Sequence, residues 1–294
     1  MSRHINKVIR LLEQGQPAYS VHPIELSYQG GWEMVNTWAD WIRVNMEHDA
    51  FDLPGLKAFM QGLKDGIQEA IGRSMPMVSI ELPIGGYSES VIRSNAWMIQ
   101  AALALGIHGI LLCHAEDPKA VKAYVECCRY AFHTHGVGEG LDHGQRGAGG
   151  EGIAAGVWGL SILEYQEKAD VWPLNPDGDI ALGIKVESNK AAERAEELTR
   201  IPGLCFAEWG PADMIASFGY KGKHFRPFPD DVLEARAKVM AAAKKAGLYF
   251  LHSTYSDDVI DLINEGVMLC DPDGDSLEEV AVIGRSHTGH SGFG

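Results

Sequence analysis

Residues 180–209 read IALGIKVESNKAAERAEELTRIPGLCFAEW. An apolar run over 180–187 gives way to a helical pattern over 190–200, and a second apolar run follows over 204–209. Strand, helix and strand within about thirty residues make a unit whose two strands run parallel. The first run ends on an acid, Glu187, and the second carries one, Glu208, next to its end.

The same alternation continues in both directions. Toward the C-terminus come a helix over 230–246 and the runs LYFLHS (248–253) and VMLCDP (267–272). Toward the N-terminus, GILLCH (109–114) precedes a helix opened by Asp117-Pro118, and MVSIEL (77–82) precedes one over 89–105. WIRVNM (41–46) leads into a helix from Leu53 to Ile71, where Leu56, Met60, Leu63, Ile67 and Ile71 share one face. Asp52 suits its N-cap and Pro54 its first turn. AYSVHP (18–23) completes eight strands.

Eight such units in 294 residues predict a (β/α)8 barrel, with a doubly wound open sheet as the competitor. The strand ends favour closure. His22, Glu47 and His48, Glu81, His114, Glu187, Glu208, His252 and Asp271 all fall at or just past the C-terminal end of a run. In a closed barrel those ends form one rim, where active sites of this fold sit. No internal boundary breaks the pattern, so residues 1–294 are expected to form one barrel domain with an N-terminal helix and a C-terminal helix and tail.

Composition narrows the function. A net charge of −15 argues against non-specific nucleic-acid binding. No apolar run approaches the roughly 18–20 residues of a membrane span, and the N-terminus lacks the features of a secretory signal. The five cysteines lie in apolar strands or mid-helix without C-x-x-C spacing, as expected of reduced, buried thiols in a cytoplasmic protein. The glycine-rich stretch 134–157 carries no phosphate-binding signature and is expected to form an extended loop over the rim.

Chemistry concentrates at three places. Glu187 ends one strand and Asp213 follows the next; neighbouring strands lie about 4.8 Å apart, so the two carboxylates can share an Mg²⁺ or Mn²⁺ ion. The alternative is that each caps a local helix. Between them, Gly210-Pro211 opens a short helix whose first N–H groups, near Ala212 and Asp213, would face the rim and suit a carboxylate. His48, with Glu47 beside it, is placed for a general base or for packing at a helix entry.

These residues resemble the HpcH/HpaI-type aldolases, class II enzymes that act on pyruvate-like 2-oxo acids. The similarity lies in IKVESNKAAERAEELTRIPGLCFAEWGPADMIASFGY, in VNMEHDAFDLPGLKAFM and in GQRGAGGEGIAAGVWG. The resemblance implies a barrel, commonly oligomeric, and a divalent metal (Mg²⁺, Mn²⁺ or another) that acts as Lewis acid toward a pyruvate enolate. It implies that Glu187 and Asp213 bind metal, that His48 handles the proton, and that Gly210, Ala212 and Asp213 hold the substrate carboxylate. A small-molecule 2-oxo acid is then the partner, with neither nucleic acid nor membrane involved.

Two positions depart from the family pattern. Asn45 stands where the family has an Asp paired with the catalytic His, and Ser79 stands where it has an Arg that polarises the keto oxygen. Arg146, His114 or Arg93 would then supply the missing polarity, and Glu81 and His114 would reshape the site or extend metal coordination. Trp209, with Trp158 and Phe225, would line a pocket for a bulky acceptor or pack as core. The resulting expectation is a metal-dependent carbon–carbon lyase. Its alternatives are a metal-dependent decarboxylase or hydratase of a 2-oxo acid, and a catalytically altered 2-oxo acid-binding paralogue.

Overall fold

Strand pairing in the computed structural model, which describes residues 3–70, 72–222 and 226–290, is parallel throughout the sheet. The strands are β1 (Ala18–Val21), β2 (Trp41–Asn45), β3 (Met77–Gly85), β4 (Gly109–Cys113), β5 (Val171–Trp172), β6 (Ile180–Lys185), β7 (Phe206–Glu208), β8 (Tyr249–Thr254) and β9 (Val267–Pro272). β9 pairs with β1 and β4 pairs directly with β6, which closes eight strands into the expected barrel. β5 is an addition: it pairs with Ile180 and Ala181 on the edge of β6 opposite β4. Two residues carry no periodicity, so the sequence shows no sign of it.

Alternation along each strand sorts the side chains. Ile42 and Val44, Val78 and Ile80, and Leu182, Ile184 and Val186 point outward into the shell of helices. Trp41, Met77, Leu111, Ala181, Phe206, Leu251 and Leu269 form an inner apolar layer near the strand starts. Val8, Ile9, Leu11 and Leu12 of helix Lys7–Glu13 pack against that layer and close this end. The helix is fixed by Asn6, whose Oδ1 accepts from Val8 N–H (3.0 Å) and whose Nδ2 donates to the Asp179 carbonyl (3.1 Å).

One step further along the strands, the inward positions change character. Arg43, Glu81, Lys185, Glu208 and Asp271 fill the next layer, all inside the barrel and all charged. The expected strand-end set therefore splits. Glu81, Glu208 and Asp271 lie within the barrel; Glu47, His114 and Glu187 stand at its mouth; His252 points outward and stacks on Trp209 at 5.5 Å.

Two helices differ from expectation in continuity. The 89–105 segment breaks into Glu89–Ser94 and Ala96–Leu103 at Asn95, whose side chain bonds back to the Val91 carbonyl (2.9 Å) in competition with the helix. The 190–200 segment breaks likewise at Arg194. Helix Leu53–Glu69 starts at the predicted Asp52 cap, which accepts from Gly55 N–H (2.9 Å). Ile71 and Phe225 lie outside the described residues.

The glycine-rich stretch does not cover the rim. Helix Pro118–Cys128 carries the chain from the end of β4 to the opposite end of the barrel, and the stretch stays there. Arg129 anchors it through two bonds to Asp170 (2.6 and 3.0 Å) and one to the His135 carbonyl (2.9 Å). Trp158 donates to the carbonyl of Gly106, just before β4 begins (2.8 Å). Among the described residues no helix is long and apolar enough to cross a membrane.

Candidate active site

At the mouth of the barrel four side chains converge. Ligand-type atoms of Glu47, His114, Glu187 and Asp213 all lie within 4.8 Å of one another. Glu47 comes from the turn after β2, His114 from the residue after β4, Glu187 from just beyond β6, and Asp213 from helix Pro211–Ser217 after β7. The Gly210-Pro211 turn explains Asp213. Gly210 has φ 50°, a left-handed conformation open to glycine, and a Cβ there would overlap the Glu187 side chain. The chain thus passes directly against Glu187 before the helix presents Asp213. Ala212 and Asp213 occupy the first turn, where N–H groups have no intrahelical acceptor.

Glu187 is buried and held from one side. Its Oε1 accepts the His114 N–H at 2.5 Å, while its Oε2 is buried without a hydrogen-bond partner. Burial pushes this carboxyl well above the ordinary range and nearby Glu47 adds to the shift, against the opposing pull of Lys185. Glu47 joins the mouth to the layer below. Its Oε2 takes the Lys185 ammonium at 2.7 Å, and its Oε1 lies 3.3 Å from His114 Nε2.

Lys185 also meets Glu81 at 2.7 Å, and Arg43 bridges Glu81 (2.6 Å), Asp271 (2.7 Å) and Glu208 (3.5 Å). Burial alone would raise the Glu81 carboxyl, but Arg43 and Lys185 outweigh it and hold Glu81 well below its ordinary value. Burial raises Glu208, whose Oε2 has the longer ion pair with Arg43 but no hydrogen bond. Six carboxylates (Glu47, Glu81, Glu187, Glu208, Asp213, Asp271) therefore stand against two buried cations, Arg43 and Lys185. An excess of hard oxygen donors, an imidazole and an orphaned buried oxygen on Glu187 fit a divalent cation at the mouth.

The other expected residues fall in several places. His48 stands at the opening, 58% exposed, with Nε2 at 3.4 Å from Glu47 Oε2. Asn45 does not reach that imidazole; its Oδ1 accepts the backbone N–H groups of Glu47 (2.9 Å) and His48 (3.2 Å) and shapes the turn that carries both. Ser79 lies deep in the barrel, its hydroxyl taken by the Trp41 indole N–H at 2.7 Å.

Arg146 is at the opposite end of the barrel, stacked over Tyr130 at 4.4 Å and donating to the Tyr165 hydroxyl at 2.6 Å. Arg93 joins Glu89 and Glu126 among the surrounding helices. Trp209 is fully buried on the outer face of the barrel between His252 and Phe228, because it follows the inward Glu208 by one residue. Trp158 packs on His108 near the start of β4.

Arg43 and Lys185, the buried cations beneath the candidate site, belong to no motif in the sequence. The signal was present in WIRVN and IALGIKVE. In each run, a cation occupies the inward parity while apolar residues occupy the outward one.

Sequence and structure comparisons identify the family and the fold. The model of the HpcH/HpaI aldolase/citrate lyase family matches residues 84–266. A hydroxypyruvate/pyruvate aldolase of Paraburkholderia phytofirmans is 25% identical over 253 residues, covering 84% of this chain and 83% of that protein. A 2-keto-3-deoxy-L-rhamnonate aldolase of Salmonella dublin is 26% identical, covering 73% and 68% respectively. An HpcH/HpaI aldolase/citrate lyase family protein from Burkholderia cenocepacia superposes with a TM-score of 0.70 at 20% identity over 96% of both chains. With more than half its length matched by the family model and the acidic cluster at the barrel mouth, the chain belongs to the HpcH/HpaI aldolase/citrate lyase family.

Proposed function

We infer that the protein is a divalent-metal-dependent carbon–carbon lyase that cleaves a 4-hydroxy-2-oxo acid to pyruvate and an aldehyde. The convergence of Glu187 and Asp213 at the barrel mouth, with Glu187 Oε2 buried and unpartnered, carries this reading. The names of the aldolase relatives support the substrate class.

Glu187 and Asp213 would hold the cation, which would supply Lewis-acid charge at the substrate's keto oxygen. The N–H groups of Ala212 and Asp213, which have no intrahelical acceptor, would bind the substrate carboxylate. His48 takes the proton of the 4-hydroxyl as the C3–C4 bond breaks. The same group, or water beside it, returns a proton to C3 of the enolate after the aldehyde leaves. Glu47, 3.4 Å from the His48 ring, stands beside it through that exchange. Lys185, tied to Glu47 and Glu81, places a fixed positive charge beneath the site.

The test is pyruvate and aldehyde release from a 4-hydroxy-2-oxo acid by chelator-stripped protein with and without added Mg²⁺ or Mn²⁺. Glu187→Ala and Asp213→Ala are expected to lower metal-dependent turnover by at least about a hundredfold. Full turnover after exhaustive chelation, or in either variant, would sink the reading. Release of CO₂ or loss of water with no aldehyde would replace it with a decarboxylase or a dehydratase.

A further inference from the structure

His114 has a strained backbone. Among the described residues it is the one non-glycine with positive φ, at 47°. That conformation is disfavoured in a residue carrying a Cβ, and such strain gathers at functional sites. Its N–H bond to Glu187 fixes the conformation, and the Tyr87 ring stacks on the imidazole at 5.2 Å and 18°.

The effect of the strain is to turn the ring inward between two carboxylates. Nε2 lies 3.3 Å from Glu47 Oε1, and Nδ1 lies 3.4 Å from Glu187 Oε1. Both separations exceed the usual range of a good N–H···O bond, about 2.7–3.2 Å. Glu47 Oε1 and Glu187 Oε2 are both buried without a hydrogen-bond partner. Lys185 holds the other oxygen of Glu47, which leaves Oε1 facing the cluster. One nitrogen donor, three carboxylates and two orphaned oxygens thus meet in one place.

Resting on the function inferred above, we propose that His114 and Glu47 are direct ligands of the cation beside Glu187 and Asp213. The imidazole then makes the site select a first-row transition ion over Mg²⁺. Mg²⁺ takes oxygen ligands almost exclusively and gives up its waters reluctantly, so a nitrogen donor gains little from it. Mn²⁺, Fe²⁺ and Co²⁺ accept imidazole with rising preference along the series.

The protein is stripped with chelator and loaded with Mn²⁺, and pulsed electron paramagnetic resonance is used to detect a directly bound ¹⁴N nucleus. Mg²⁺ and Co²⁺ are titrated separately by calorimetry. The variants are His114→Asn and His114→Gly, both of which accept positive φ and so preserve the backbone. The expected result is a ¹⁴N coupling in the wild type that disappears in both variants. Co²⁺ affinity should fall by at least about tenfold while Mg²⁺ affinity changes by less than about threefold.

No coupling in the wild type, or a coupling that survives in both variants, removes His114 from the metal. Equal losses for Mg²⁺ and Co²⁺ overturn the selectivity. Pyruvate release is followed on the same samples. Turnover without a nitrogen coupling defeats this proposal and leaves the lyase standing, whereas failure of every ion to bind defeats both.

Discussion

Gly210 is where a single atom has the most effect. Its φ of 50° and its contact with Glu187 mean that Gly210→Ala adds left-handed strain of roughly 1–2 kcal/mol and also displaces the carboxylate the new methyl would overlap. The expected outcome is a modest fall in thermal midpoint with a much larger fall in metal affinity, checked by calorimetric unfolding and metal titration of the same sample. A variant that loses stability but binds metal normally would show that the close approach does not position Glu187. Lys185 acts differently. Lys185→Met leaves Glu47 and Glu81 facing each other without their shared cation, and breaking such a buried pair costs about 3–5 kcal/mol. Lys185→Met combined with Glu81→Gln should recover much of that loss in denaturant unfolding, since it removes charge of both signs together. If the double variant is no more stable than the single, the pairing is not what holds this layer.

Among the elements, the strands divide the molecule into a stable end and a reactive end, and helix Lys7–Glu13 belongs to the first. Asn6→Ala removes its N-cap and the bond to Asp179, for an expected loss of about 1 kcal/mol in unfolding free energy. Its kcat should stay at the wild-type value, because the helix plugs the end of the barrel away from the mouth; a matching drop in kcat would contradict that separation. The same division explains what was legible in the sequence. Strand ends announce themselves by an acid or histidine after an apolar run, so Glu47, His114 and Glu187 were all found. The interior layer of Arg43 and Lys185 was written in the parity of two strands, but a cation inside an apolar run is easily taken for a surface residue. The same parity decides between the two readings of Trp209: one step along from the inward Glu208 it faces outward and packs as core, away from any substrate pocket. The glycine-rich stretch was assigned to the wrong end because its composition marks a loop and not the end of the barrel it serves. Only the direction of helix Pro118–Cys128 settles that.

For the whole molecule, closure of the barrel is what turns scattered strand ends into one site, and it also fixes how stability depends on pH. Helix Glu151–Trp158, packed on the closed barrel, buries His108 under Trp158, where its Nδ1 accepts the Val78 N–H at 3.1 Å. Burial lowers its pKa from 6.5 to about 4, with Asp179 opposing the shift. His252, buried against Trp209 and accepting from Arg236 at 2.8 Å, is lowered to about 4 as well, again chiefly by burial. Between pH 6.5 and about 4 the unfolded chain binds a proton at each position that the folded barrel does not. Stability is therefore complete above pH 6.5, declines as pH falls through this window, and stops declining on this account below about 4. One such histidine is worth about 3 kcal/mol across the window. Denaturant midpoints measured at intervals from pH 7.5 to 4 should show the decline in wild type. His108→Asn, whose amide oxygen can still accept the Val78 N–H without gaining a proton, should show a shallower one. Parallel curves for the two proteins would mean that His108 is not among the groups that acid forces to protonate on unfolding.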